Sequence, residues 1–171
     1  LIRLGGFDES LVRNQDDELN LRIVRSGGVV WQSAAIRSTY TPRASFVALF
    51  RQFYQYGYWK VPVIRKHRLP ASLRHLAPFV FVAGLACLTA LTPWSMLARA
   101  ALATVLGVYA LTALFSGAAL ACAPHRLRDA VGIATAITCM HLGCGIGFGH
   151  ALVEVLLLRR TPGAVATRLT R

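Results

Sequence analysis

Two uncharged apolar runs restrict this chain more than any other feature. Leu76 to Ala98 carries no charged side chain, and neither does Ala100 to Ala123. Each is long enough, at 1.5 Å per helical residue, to cross the hydrocarbon core of a bilayer. Backbone polar groups in hydrocarbon must be bonded within the segment, so both runs are expected to be helices. Pro93 and Trp94 mark the far end of the first run, and Trp favours the headgroup level. Arg99 is the only charge between the two. A basic collar of Arg65, Lys66, His67, Arg68, Arg74 and His75 precedes them, and Arg126 and Arg128 follow. The bias of Lys and Arg toward one side places residues 1–75 and 124–129 in the cytoplasm. A third run, Ala130 to Leu158, is longer and less clean. It contains His141, His150 and Glu154, with glycines at 143, 145, 147 and 149. Alternating glycines weaken a helix, yet small residues also let membrane helices approach closely. We read it as a third crossing over about 130–150, with a re-entrant or interfacial segment as the alternative, followed by a basic tail at 159–171.

Composition agrees with this division. The chain is 55% hydrophobic and 15% charged, below the roughly 25% charge of an ordinary soluble domain. Its formal net charge of +12 would suit a nucleic-acid partner, but the basic residues flank apolar spans as membrane topology requires, so no nucleic acid is expected. The four cysteines lie in apolar runs and read as small buried hydrophobes. Cys139, His141, Cys144 and His150 lack the spacing and supporting acids of a metal site. The chain begins at Leu1 rather than Met, which leads to the expectation that it is the C-terminal piece of a longer protein.

The first 75 residues carry the chemistry. Five of the seven acids fall between Asp8 and Glu18, in a segment otherwise rich in Lys and Arg. Such confinement suits a site for a cation or a proton. It also suits a helix start, where acids favour the positive end of the dipole. Gln15 to Ser26 reads as that helix, with Asn14 as its cap and Gly27-Gly28 as its stop. Asp16 and Asn20 share one face, while Asp17 points elsewhere. Leu19 and Ile23 would face a core. Val29-Val30-Trp31 and Ile36 to Tyr40 read as short extended runs at the end of an α/β domain, too few to make a sheet. A second helix is expected over 45–60, with Ser45 as cap. Phe46, Leu49, Phe50 and Phe53 form its apolar stripe, suited to the membrane interface, and Gln52, Gln55 and Trp59 lie on another face.

Two of these stretches resemble a known family. Gly5-Gly6-Phe7-Asp8-Glu9 followed by Gln15-Asp16-Asp17-Glu18-Leu19-Asn20-Leu21-Arg22 is similar to the second half of family 2 glycosyltransferases, where G-G-F-D-E precedes E-D-x-[DE]-L-x-x-R. Arg51 to Lys60 resembles the family's Q-x-x-R-aromatic segment. The likeness is to membrane-attached enzymes of succinoglycan-type exopolysaccharide biosynthesis, and covers roughly residues 1–70. It implies the C-terminal part of a GT-A α/β domain (1–70), followed by an all-α region of two to three transmembrane helices (76–158). It further implies transfer of a sugar, with inversion, from a nucleotide-sugar to a lipid-linked or growing saccharide. The expected location is the cytoplasmic face of the inner membrane, where membrane lipids are further partners.

The resemblance assigns Asp16 as the general base, with Asp17, Glu18 and Asp8 as supporting acids. Gly5, Gly6, Arg22, Gln52, Gln55, Tyr56 and Trp59 are the implied substrate-binding residues. Gln15 stands where the family usually has Glu, and Gln55 where it often has Arg, a contact for the donor diphosphate that a neutral amide cannot replace. Arg51 and Lys60 are candidates for the missing charge. The D-x-D motif that holds Mg²⁺ or Mn²⁺ in the family does not occur here, so no metal ligand is expected within these residues and this piece alone should be inactive. A non-catalytic, membrane-anchored partner of a polysaccharide synthase is the main alternative.

Overall fold

The computed structural model describes residues 2–68, 72–121 and 126–160. The expectations for Cys122, for the Pro124–His125 loop and for most of the basic tail lie outside the described residues. Five α-helices account for most of the chain: α1 (Gln15–Arg25), α2 (Phe46–His67), α3 (Ala77–Leu91), α4 (Met96–Leu120) and α5 (Arg126–Ala151). A π-helical turn, Leu152–Leu157, continues α5, and 3-10 turns at Ile2–Leu4 and Leu73–Leu76 precede α1 and α3.

No strand occurs among the described residues. The runs at Val29–Trp31 and Ile36–Tyr40 are irregular, and Trp31 is 85% exposed. A strand exists only through its ladder partners, and no backbone ladder to these runs forms among the described residues. The fold is therefore all-helical where it is described, and the expected α/β part is not confirmed.

Helix α1 starts and stops where its acids and glycines indicate, but Asn14 is not a side-chain cap. It sits in the left-handed region, φ 61°, without a capping bond. Its amide instead donates to the Tyr56 carbonyl at 2.9 Å, tying α1 to α2. At the other end, Gly27 (φ 82°) reverses the chain and the Gly28 N–H reaches the Ile23 carbonyl. Ser45 caps α2 as its position suggests, its hydroxyl accepting from the Ala48 N–H at 3.2 Å. Helix α2 continues through Pro62 to His67, well past residue 60. The aromatic stripe is not its most buried side: Phe46 is exposed, while Gln52, Gln55, Tyr58, Trp59, Val61 and Val63 are buried. Tyr58, Val61, Phe148, Ala151 and Val155 form the main apolar core, between α2 and the end of α5.

Among the described residues, three segments are long and apolar enough to cross a membrane: Leu73–Leu91, Met96–Leu120 and Arg126–Leu157. The α3–α4 turn falls at residues 92–95. Ser95 caps α4 through the Ala98 N–H, so Arg99 lies in the first turn of α4 rather than in the hairpin loop.

The glycines explain how these helices pack. A Cβ on Gly117 would lie 2.2 Å from the Ala130 carbonyl oxygen, where α4 meets α5. One on Gly145 would lie 2.3 Å from the Pro78 oxygen of α3. Gly143 and Gly147, one turn apart, abut the α2 backbone at Phe50 and Tyr54, and Gly57 of α2 abuts Cys144. Alternation in the sequence is thus division of labour on the helix: 143 and 147 face α2, and 145 faces α3.

Candidate functional site

The acidic stretch forms two structures rather than one. The first is an ionic cluster built around one buried carboxylate. Gly5 and Gly6, both at positive φ, turn the chain so that the carbonyls of Leu4 and Gly6 accept from Arg22, the latter at 2.6 Å. Arg22 also grips Glu18 through Nε and Nη2, at 2.9 and 2.7 Å. The Glu18 side chain is fully buried and accepts as well from Lys66 at 2.8 Å and His67 at 3.0 Å. Asp8 receives Lys66 at 2.5 Å and the backbone and hydroxyl of Ser10 at 3.0 and 2.6 Å. This cluster clamps the Gly5–Asp8 loop and α1 onto the C-terminal end of α2. Gly5, Gly6, Asp8, Glu18 and Arg22 therefore build the scaffold, and the glycines serve Arg22.

Electrostatics follow from these partners. The Lys66 and Ser10 hydrogen bonds hold the Asp8 carboxyl down at about 2. Burial pushes the Glu18 carboxyl up, but Arg22, Lys66 and His67 outweigh it and its net shift is downward. Burial lowers Lys66, and Asp8 and Glu18 more than restore it, so it titrates above an ordinary lysine. Depressed carboxylates stabilise the fold above their unfolded values and lose that contribution on protonation. Stability should therefore hold above about pH 5. It should fall as pH drops below the ordinary values of 3.8 and 4.5 toward about 2. Acid titration followed by amide exchange in α1 measures this. Glu18→Ala should cost about 1–3 kcal/mol at neutral pH, because it removes the buried carboxylate that Arg22, Lys66 and His67 share. Chemical denaturation in detergent would read that loss.

The second structure is a cleft of about 570 Å³ between the start of α1, α2 and α5. Asp16 and Asp17 line it, as do Arg13, Phe53, Tyr56, Lys60 and Cys144. Asp16 is exposed. Asp17 is ion-paired with Lys60. Gln15 turns its amide back onto the Leu11 carbonyl at 2.5 Å. Of the residues expected to bind substrate, only Tyr56 reaches the cleft wall. Gln52, 5% exposed, is held by Arg43 at 2.9 Å and bonds to the Tyr56 hydroxyl at 2.8 Å. Gln55 and Trp59 are equally buried. These side chains support the wall from behind.

Lys60, named from the sequence as a candidate for the missing charge, does line the cleft, whereas Arg13 and Cys144 were not named. Arg13 carried a signal, being the only basic residue between Gly5 and Glu18. Lys60 lies one turn after Tyr56 on the same face of α2, a relation that helical spacing gives. Cys144 comes from another part of the chain and carried none.

On the other flank of the α2–α5 crossing, Tyr58 donates to Glu154 at 2.7 Å, and Tyr54 bonds His150, which lies 3.6 Å from Glu154. His141 pairs instead with Tyr109 of α4 at 2.9 Å. The histidines and cysteines of α5 thus face different neighbours. Among the described residues no three His, Cys, Asp or Glu side chains gather as metal ligands. Asp8, Asp17 and Glu18 are each paired with lysine, arginine or histidine side chains of the chain itself.

Comparison with known proteins gives a curated relative. The chain is 31% identical over 153 residues to the succinoglycan biosynthesis protein ExoA of Rhizobium meliloti (strain 1021). The match takes in 88% of this chain but 44% of that protein, so the chain spans less than half of its relative's length. No protein-family model matches, and no solved structure matches. By this similarity the chain resembles an exopolysaccharide-biosynthesis glycosyltransferase over most of its own length.

Proposed function

We propose that this chain is the C-terminal part of a membrane-bound, inverting family 2 glycosyltransferase of exopolysaccharide biosynthesis. The observation that carries this reading is the placement of Asp16. It is exposed at the first turn of α1 and lines a cleft one wall of which belongs to an apolar, membrane-length helix. A sugar would pass from a nucleotide-sugar to a lipid-linked or growing saccharide at the cytoplasmic face of the inner membrane. Asp16 accepts the proton of the acceptor hydroxyl as that oxygen bonds to the anomeric carbon from the face opposite the leaving group. The bond from that carbon to the nucleoside diphosphate breaks, and the diphosphate departs with the electron pair.

The GT-A sheet and the D-x-D motif belong, in this reading, to a preceding half of the protein. Mg²⁺ or Mn²⁺ held there would neutralise the leaving diphosphate. The Glu18–Arg22–Lys66 cluster fixes the start of α1 and so the position of Asp16, and Tyr56 and Phe53 offer an aromatic wall to a sugar ring.

The test is transfer of radiolabelled sugar to extracted lipid-linked saccharide by the full-length protein in nanodiscs. The wild type should form product and Asp16→Asn should not. Equal turnover by the two proteins would end this assignment.

A further inference from the structure

The two ends of α5 sit where a third crossing could not put them. Helix α5 and its π-helical continuation run alongside α2, in the same direction. Gly143 abuts Phe50, and Gly147 abuts Tyr54. Further on, Glu154 accepts from Tyr58 at 2.7 Å, and the Val155 carbonyl accepts from Arg65 at 3.3 Å. Helix α2 is itself held outside the hydrocarbon. It carries Arg51, Lys60, Arg65 and Lys66, and Asp17, Glu18 and Arg25 of α1 bind its flank. Charges at this density are too costly for a bilayer interior. Val155 therefore lies on the same side of the membrane as the basic collar, to which Arg65 belongs.

The number of crossings between residues 65 and 155 is then even. Leu73–Leu91 and Met96–Leu120, joined by an uncharged turn, account for two. They return the chain to the collar side at Arg126 and Arg128, both exposed, as the bias of basic residues requires. Any pair of crossings that included α5 would put Arg126 and Arg128 on the far side. Packing agrees with this count. Close approaches of α5 to the α3–α4 hairpin fall in its collar-side half: Gly145 against Pro78, Phe148 against Phe79, and Ala130 against Gly117.

We propose that α5 does not cross the membrane but lies along its collar-side surface, with lipid covering its open face. Val131, Leu142, Ile146, Val153 and Leu157 recur at helical intervals on one side of it, and all but Leu142 are exposed. Arg126 and Arg128 stand at one end of this stripe, and exposed Arg159 and Arg160 lie beyond the other. An apolar stripe with cations at both ends fits the headgroup layer of a leaflet that contains anionic lipid. The stripe is continuous with the two spans that α5 touches, so the same bilayer covers both. At this depth His141, His150 and Glu154 stay within reach of water, which a bilayer centre would deny them. The placement holds whether or not the protein transfers sugar.

Sidedness tests it. Single cysteines are placed at exposed positions of the full-length protein, its other cysteines removed: Arg68→Cys in the collar, Trp94→Cys in the α3–α4 turn, and Leu127→Cys and Leu158→Cys at the two ends of α5. A charged, membrane-impermeant maleimide is added to sealed inverted vesicles, and again after detergent. Positions 68, 127 and 158 should react from one face and position 94 from the other. Reaction of 127 and 158 from opposite faces would overturn the proposal, because α5 then crosses. So would reaction of 94 from the face of 68, because the hairpin then does not cross. Depth is an independent readout. Spin labels at Val131, Leu142, Ile146 and Val153, compared by oxygen and nickel-chelate accessibility, should all report the same shallow level. A depth maximum at Leu142 that falls away toward both ends would be the profile of a span, and would overturn the proposal whatever the labelling shows.

Discussion

Asp16→Asn should lower sugar transfer by the full-length protein about 10²–10⁴-fold, the range that a positioned general base supplies. The substitution is nearly isosteric. It should leave helical content and α1 protection unchanged, because the ionic cluster that holds α1 uses Glu18 and Asp8 instead. Asp17→Asn is the informative contrast. Asp17 is committed to Lys60, so its loss frees a cation at the cleft and should change affinity more than turnover. If Asp17→Asn were the variant that abolished transfer and Asp16→Asn the mild one, the base would be Asp17.

Gly57→Leu should detach α2 from α5. Even the first carbon of a side chain there would lie 1.9 Å from the Cys144 carbonyl oxygen. The obstacle is backbone, which no rotamer change can clear. The penalty should therefore exceed the roughly 1–3 kcal/mol of ordinary core overpacking. Separation would also draw Tyr58 from Glu154 and Tyr54 from His150, leaving polar groups without partners between two helices. Amide exchange across Phe46–His67 would rise, and Cys144 would leave the cleft. Gly107→Leu on α4 is the control, since nothing lies within 4 Å of the position a Cβ would take. Equal protection in the two variants would mean that the crossing does not depend on close backbone approach.

The spans were legible because a lack of charge over twenty residues has few other meanings. Ser45 was legible because a cap acts through neighbours three residues away, all within the local sequence. Asn14 misled for a related reason. It has the composition of a cap, but a partner 42 positions distant, the Tyr56 carbonyl, took its amide. Val29–Trp31 and Ile36–Tyr40 have strand-forming residues, yet pairing is supplied by other segments and none described here supplies it. The acidic cluster was read as one site because all its members crowd together in sequence. In space Glu18 turns inward to Arg22 and Lys66 while Asp16 stays outside, a split that follows from helical geometry once the core-facing side of α1 is known. The role of Gly143 and Gly147 needed α2 in place before it could be seen.

Cys144 places a wall of the cleft on a segment that hydropathy alone would describe as an anchor. Such a segment is not interchangeable. Another helix of equal length and greasiness would hold the protein in the bilayer but would bring neither the thiol nor the two glycine notches that admit α2. Sequence drift in the third apolar segment should accordingly be narrow on the face bearing residues 143, 144 and 147 and wide on the opposite one. The lineage of this protein is then constrained to inherit its membrane segment and its acidic loop together, as one unit of selection.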